Sequence, residues 1–194
     1  MHPTPLTVLV DMDGVMADFD GHTTKYLQTT HPTISVVEHK NFYYREDYPD
    51  QAHQKIIAQF QCSQYFFRDL PPIEGAIEGW QRLKDLGYQP RICTAPLRAN
   101  AWCQPEKLQW IEHYLGPEAA HEAIVDKRKE QHDGIALIDD RPILQNADQA
   151  SWQHIVFDAP YNQTAPSTLR LFGWNDPTFE ELLAHCAKIY GSNL

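Results

Sequence analysis

Hydrophobic residues along the chain form two kinds of pattern. Short strand-like runs occur at Leu6-Thr-Val-Leu-Val10, Arg91-Ile-Cys93, Ile135-Ala-Leu-Ile138 and His154-Ile-Val-Phe157. Runs this short, β-branched in part, predict central strands buried on both faces. Between them, apolar positions recur at helical spacing. Ala76, Ile77, Trp80 and Leu83 share one face, and Gly87 follows where a helix C′ glycine belongs. Leu108, Ile111 and Leu115 share another, closed by Gly116-Pro117. Near the C-terminus, Asp176 is placed to cap a helix with Pro177 at its first position, running to about Tyr190. Strands alternating with helices predict βαβ units and an α/β fold on a mainly parallel sheet.

One stretch breaks the alternation. From about residue 20 to 72 there is no convincing central strand, but there are two aromatic clusters, Asn41-Phe-Tyr-Tyr-Arg45 and Gln64-Tyr-Phe-Phe-Arg68. A crossover between strands needs far fewer residues. The expected organisation is a core of residues 1–17 and 73–194 with a small helical cap, 18–72, inserted after the first strand.

Composition narrows the class. With 42% hydrophobic and 22% charged residues, the 194-residue chain can bury a real core, so disordered and disulfide-stapled readings fall away. The net charge of -10 repels a nucleic-acid polymer but not a small phosphorylated ligand, which needs only a few local cations. Cys62, Cys93, Cys103 and Cys186 fit neither a C-x-x-C pattern nor a zinc spacing, so they read as free thiols in a reducing compartment. The first strand begins at Leu6, leaving no room for a signal peptide, and no apolar run nears the roughly 18 residues of a membrane span. The expectation is a cytoplasmic protein without membrane contact.

The candidate chemistry lies at the strand ends. In an open α/β sheet, ligands bind beyond the carboxyl ends of the strands. The first strand ends in Asp11 and Asp13, the second in Thr94 and the third in Asp139 and Asp140. Carboxylates converging on one spot cannot all stay ionised without a cation, and all-oxygen ligation suits Mg²⁺. Thr94, Lys107 and the run Lys127-Arg-Lys129 supply donors and positive charge for a phosphate. Each piece alone has a plainer reading: a turn or helix cap for Asp11, a helix-surface lysine for Lys107, a solvated face for 127–129. D-x-D-G also opens EF-hand loops, but Met16 and His22 stand where such a loop needs Gly and Glu.

Together these stretches resemble the four motifs of the haloacid dehalogenase superfamily of aspartate-nucleophile phosphatases, and within it the 5′(3′)-deoxyribonucleotidases. The resemblance rests on Val8-Leu-Val-Asp-Met-Asp-Gly-Val-Met-Ala-Asp-Phe19, Ile92-Cys-Thr-Ala-Pro96, Cys103-Gln-Pro-Glu-Lys107 with Trp110 and Tyr114-Leu-Gly116, and Leu137-Ile-Asp-Asp-Arg-Pro142. Asn41-Phe-Tyr-Tyr44 falls where that family places its base-binding aromatics. The resemblance spans about residues 6 to 160. It implies a Rossmann-like core with a helical cap, and relatives that are homodimers. Two positions depart: Ala95 stands where relatives have Ser, and Tyr43 where some have Trp.

The resemblance further implies Mg²⁺ and a nucleoside monophosphate as substrate. Asp11 would be the nucleophile, forming an aspartyl-phosphate, and Asp13 the general acid and base. Thr94, the backbone at Ala95, and Lys129 would hold the phosphate. Lys129 is preferred to Lys107 because it lies ten residues before Asp139, the family's spacing. Lys107 would support the acidic cluster. Asp11, the Asp13 carbonyl, and Asp139 and Asp140 would bind the metal, one of the last two directly and the other through water or hydrogen bonds, with the family pattern favouring Asp140 as the direct ligand. Phe19, Phe42, Tyr43 and Tyr44 would form the nucleoside slot, although such a cluster also serves as plain cap core. Three alternatives stay open: a phosphatase of another small phosphoester, a phosphotransferase or mutase, and a phosphate-binding module without turnover.

Overall fold

The computed structural model describes residues 6–167 and 169–192. Six parallel strands form its centre: β1 (Thr7–Val10), β2 (Gln89–Thr94), β3 (Ile124–Val125), β4 (Ala136–Asp139), β5 (Gln153–Phe157) and β6 (Arg170–Leu171). Their order is β3-β2-β1-β4-β5-β6. The helices are α1 (Phe19–Thr30), α2 (Gln51–Gln61), α3 (Ala76–Asp85), α4 (Cys103–Leu115), α5 (Pro117–Glu122) and α6 (Phe179–Ser192). None is long and apolar enough to cross a membrane among the described residues. The four strands predicted from apolar runs are present. β3 and β6 are two residues each, too short to show a pattern, and exist by pairing with β2 and β5.

The register pairs Val10 with Ile92 on one side and Ile138 on the other. β1 and β4 are therefore the central neighbours, at the point where the strand order reverses. Their side chains alternate between two apolar layers. Val8, Val10, Ala136 and Ile138 join Trp80 and Leu83 of α3, Trp110 and Ile111 of α4, and Leu183 and Cys186 of α6. Leu9, Leu137 and Cys93 face the other way, against Trp152 and Ile124. Coverage of both faces is why these strands read as continuous apolar runs.

Helix ends follow local chemistry with one correction. α3 closes as expected: Gly87 has φ 84, its N–H donates to Lys84 O at 2.9 Å and that of Tyr88 to Leu83 O at 3.1 Å, a Schellman closure. The C-terminal helix begins at Phe179, not at Pro177. The Asp176 carboxylate is shared across the approach to the helix, accepting from the N–H of Phe172 before it and of Thr178 after it at 2.8 Å each. It therefore fixes the turn after β6, and the helix starts beyond that turn.

After β1 the chain makes a tight loop in which Met12 O accepts from the N–H of Met16 and Ala17, both at 2.8 Å. It then leaves the sheet beside the returning chain, joined to it by an isolated antiparallel bridge between Ala17 and Pro72. Between these points lie α1, a 3₁₀ turn at Tyr44–Asp47 and α2, around a small core of Leu27, Ile34, Tyr44, Tyr48 and Ile57. α4 anchors the return path. Its buried Glu106 accepts from the N–H of Tyr65 at 2.5 Å and of Phe67 at 3.1 Å. Trp110 Nε1 donates to Leu70 O at 2.8 Å. Glu106→Ala strands two backbone donors and is expected to cost about 2–4 kcal/mol. That should lower the thermal midpoint by roughly 5–10 °C, read by differential scanning calorimetry; a negligible fall would show that the anchor carries little.

Candidate active site

The reversal of strand order brings the ends of β1 and β4 together, and three carboxylates with them. One oxygen from each of Asp11, Asp139 and Asp140 lies within 4.8 Å of the others. Lys129 stands among them, its Nζ 2.9 Å from Asp11 Oδ1 and 2.6 Å from Asp139 Oδ2. The lysine sits in the 3₁₀ turn after β3, where Trp152 Nε1 donates to its carbonyl at 3.1 Å. Burial alone would lower the Lys129 pKa, but Asp11 and Asp139 carry it above the ordinary lysine range. Burial also works against the Asp139 charge, and Lys129 overrides it, holding Asp139 below the usual carboxylate range. Asp140 has no such cation. Burial, then Asp139 and Asp11, push its pKa well up. A buried all-oxygen set with one carboxylate this disfavoured fits a hard divalent cation.

A second buried lysine organises the neighbouring groups. Lys107 Nζ, fully buried, lies 2.8 Å from Asp13 Oδ2, 2.7 Å from Thr94 Oγ1 and 3.0 Å from Ala95 O. An ammonium has three N–H bonds, and Lys107 has spent all of them. Because Thr94 accepts from Lys107, its own hydroxyl hydrogen is free to point at a ligand. Lys129 has two of its three donors committed. The geometry thus separates the lysines: Lys107 holds Asp13 and the β2 end, and Lys129 keeps one donor for an anion. Asp13 lies outside the three-carboxylate cluster, and its Oδ1 is buried with no hydrogen-bond partner among the described residues. Burial pushes the Asp13 pKa up, Lys107 opposes this, and Asp11 adds to it. The nearby Cys93 thiol is no competing nucleophile, since burial pushes its pKa up to about 12.

A cleft of about 420 Å³ opens over these groups, lined in part by Phe19, Phe42, Tyr43, Tyr44 and Ala95. The four aromatics are not equivalent. Phe19 packs edge-on against Phe66 at 5.1 Å between centroids. Phe42 lies under the Arg141 guanidinium, 4.7 Å from its centroid, and Tyr43 is half exposed. Tyr44 lines the cleft but turns its ring away: its hydroxyl bonds Thr24 Oγ1 at 2.7 Å and Tyr48 OH at 3.3 Å, so the ring belongs to the small core of the inserted segment. The physical reason is backbone geometry. Tyr43 is extended (φ -90, ψ 103) and the 3₁₀ turn starts only at Tyr44, so successive side chains diverge. Arg45, Arg98, Lys127 and Arg141 also line the cleft and offer cations to an anionic ligand among the carboxylates that share the lining.

Several contributors carried no motif. Tyr161 donates to Asp140 Oδ2, and Asn162 Nδ2 donates to the Asp140 carbonyl at 2.7 Å. The Arg141 N–H donates to Asp139 Oδ1 at 2.8 Å. The only available signals were Arg141's adjacency to the acidic pair and Tyr161's place just past the Phe157 strand end.

Comparison with known proteins agrees with this geometry. A family model described as 5′ nucleotidase, deoxy (pyrimidine), cytosolic type C protein matches residues 5–188. The human cytosolic-type 5′(3′)-deoxyribonucleotidase is 34% identical over 181 residues, covering 87% of this chain and 89% of its own. The human mitochondrial 5′(3′)-deoxyribonucleotidase is 33% identical over 182 residues, covering 88% and 79%. Among solved structures, a HAD family hydrolase from Deinococcus radiodurans superimposes with a TM-score of 0.58 at 14% identity, covering 94% of this chain and 96% of its own, which speaks to the fold. The chain therefore belongs to the deoxy (pyrimidine) 5′-nucleotidase family, cytosolic type C, with a haloacid dehalogenase-like α/β core.

Proposed function

We propose that this protein is a Mg²⁺-dependent nucleotidase that releases phosphate from nucleoside monophosphates, prefers deoxyribonucleotides, and works through an aspartyl-phosphate on Asp11. Hydrolysis of a nucleotide phosphate ester follows from its family. The observation that carries the finer reading is the separation of Asp11, beside Lys129, Asp139 and Asp140, from Asp13, held apart by Lys107. In this reading residues 18–72 are a helical cap over the core formed by 1–17 and 73–194. Four free cysteines support a reducing compartment, and we assign the protein to the cytoplasm.

Asp11, Asp139 and Asp140, with the Asp13 carbonyl, would hold Mg²⁺, which when bound offsets the repulsion between the Asp11 carboxylate and the phosphate. An Asp11 oxygen attacks phosphorus, the P–O bond to the nucleoside breaks, and Asp13 gives its proton to the departing alkoxide. The remaining Lys129 donor and the Thr94 hydroxyl orient the phosphate oxygens. Asp13, now ionised, takes a proton from water, whose oxygen attacks phosphorus and frees Asp11 and phosphate. Phe42 or Tyr43 would stack on the base opposite Phe19. An apolar wall at Phe19 disfavours an added 2′-hydroxyl by on the order of a hundredfold at most, a preference and not an exclusion.

The test separates a nucleotidase from a general phosphatase. Loss of a stacking ring costs about 1–3 kcal/mol, or roughly 5- to 150-fold. Phe42→Ala or Tyr43→Ala should raise KM for dUMP and dTMP by such a factor and leave p-nitrophenyl phosphate unchanged. Equal effects on both substrates, or faster turnover of sugar phosphates than of dUMP, would replace the nucleotidase reading with a general phosphatase.

A further inference from the structure

A tyrosine outside every motif joins the cation site to the cap. Tyr161 lies in the 3₁₀ turn Pro160–Asn162 after β5, and its hydroxyl donates to Asp140 Oδ2. The next residue holds the other end of the same aspartate: Asn162 Nδ2 donates to the Asp140 carbonyl at 2.7 Å and to Phe157 O at 2.8 Å. Arg170 of β6 in turn donates to Asn162 O at 2.9 Å. Gly14 keeps the opposite side clear. A Cβ there would run into Asp140 Oδ2 and lie 3.2 Å from the Tyr161 hydroxyl.

The same ring meets the cap. The His39 centroid lies 4.6 Å from that of Tyr161, and Phe42 meets it edge-on at 5.8 Å. His39 is itself fixed from both nitrogens, Nδ1 2.5 Å from Asp47 Oδ2 and Nε2 3.1 Å from Asp20 Oδ2. Both carboxylates belong to the cap segment. A cap that shifts therefore moves His39 and Phe42 against a ring whose hydroxyl holds a cation ligand.

We infer that Tyr161 is a positioning residue: it fixes the Asp140 carboxylate for cation binding and relays the seating of the cap, through His39, to that carboxylate. The inference rests on Asp140 as a Mg²⁺ ligand, as proposed above. Hydrogen-bond partners of ligating side chains set ligand orientation, and their loss typically weakens metal binding by about 10- to 100-fold.

The experiment titrates Mg²⁺ alone into substrate-free full-length protein by calorimetry, for the wild type, Tyr161→Phe, His39→Ala and the double variant. Tyr161→Phe should weaken Mg²⁺ by about tenfold or more. In assays, it should raise the Mg²⁺ concentration for half-maximal turnover and recover most of kcat at saturation, which a merely damaged fold would not do. His39→Ala should weaken Mg²⁺ by a smaller factor, and the double variant no more than Tyr161→Phe alone, because both act through one side chain. Wild-type affinity in Tyr161→Phe, or lost turnover that excess Mg²⁺ does not restore, overturns the positioning role. Unchanged binding in His39→Ala, or full additivity, overturns the relay, and the His39→Ala titration alone still decides the relay if Tyr161→Phe fails to fold. A wild type that binds no Mg²⁺ instead overturns the cation reading itself.

Discussion

Asp11→Asn should abolish phosphate release and leave the fold intact. A carboxamide is a poor nucleophile, so the covalent step loses its attacking oxygen, and the rate should fall by on the order of 10⁴ or more. Folding is spared for an electrostatic reason. Asp11 shares its pocket with Asp139 and Asp140, so removing its charge relieves repulsion, while Lys129 keeps Asp139 at 2.6 Å. Beryllium or aluminium fluoride, which mimic a bound phosphoryl group, should bind against Asp11 in the wild type and not in the variant. Phosphate release above about a tenth of the wild-type rate would end the assignment of Asp11 as nucleophile.

The second large effect is expected at Asp13 and depends on the leaving group. A nucleoside alkoxide needs a proton as the ester bond breaks, whereas p-nitrophenolate departs with little help. Asp13→Asn should therefore slow dUMP hydrolysis by about 10²- to 10⁴-fold and p-nitrophenyl phosphate hydrolysis far less. The site favours this role: burial pushes the Asp13 pKa up against the pull of Lys107, keeping the protonated acid accessible nearer neutral pH. The alkaline limb of the pH profile should follow, with dUMP turnover falling as pH rises through the Asp13 pKa and p-nitrophenyl phosphate turnover showing a weaker fall. Parallel losses for the two substrates would mean that Asp13 serves only to pair Lys107.

The sequence by itself determined the parts of this protein that depend on neighbours along the chain. Leu6–Val10 and Ile135–Ile138 are short apolar runs because both sheet faces are covered, and each ends in acidic residues. Gly87 closes α3 because a left-handed residue is needed there and glycine adopts it freely. The long stretch between β1 and β2 is marked in the sequence by its length and by the lack of an apolar strand run. Two short strands left no trace, because two residues cannot display a period and pairing with β2 and β5 creates them. The start of α6 escaped for a related reason, since Asp176 is taken by the backbone of Phe172 and Thr178.

Tertiary structure decided which side chain meets which. Lys107 and Lys129 are alike as residues. Only the packing of α4 and of the turn after β3 sets one on Asp13 and Thr94 and the other on Asp11 and Asp139. Tyr44 stood beside Phe42 and Tyr43 in sequence, yet the extended backbone at Tyr43 sends its ring into the core of the inserted segment. Tyr161 reaches Asp140 across 21 residues and Asn162 does so across 22, with no local pattern to mark either. Periodicity and turn chemistry are short-range and can be read along the chain. The partners of a buried charge are set by how distant elements close on one another, so they appear only when the chain is folded.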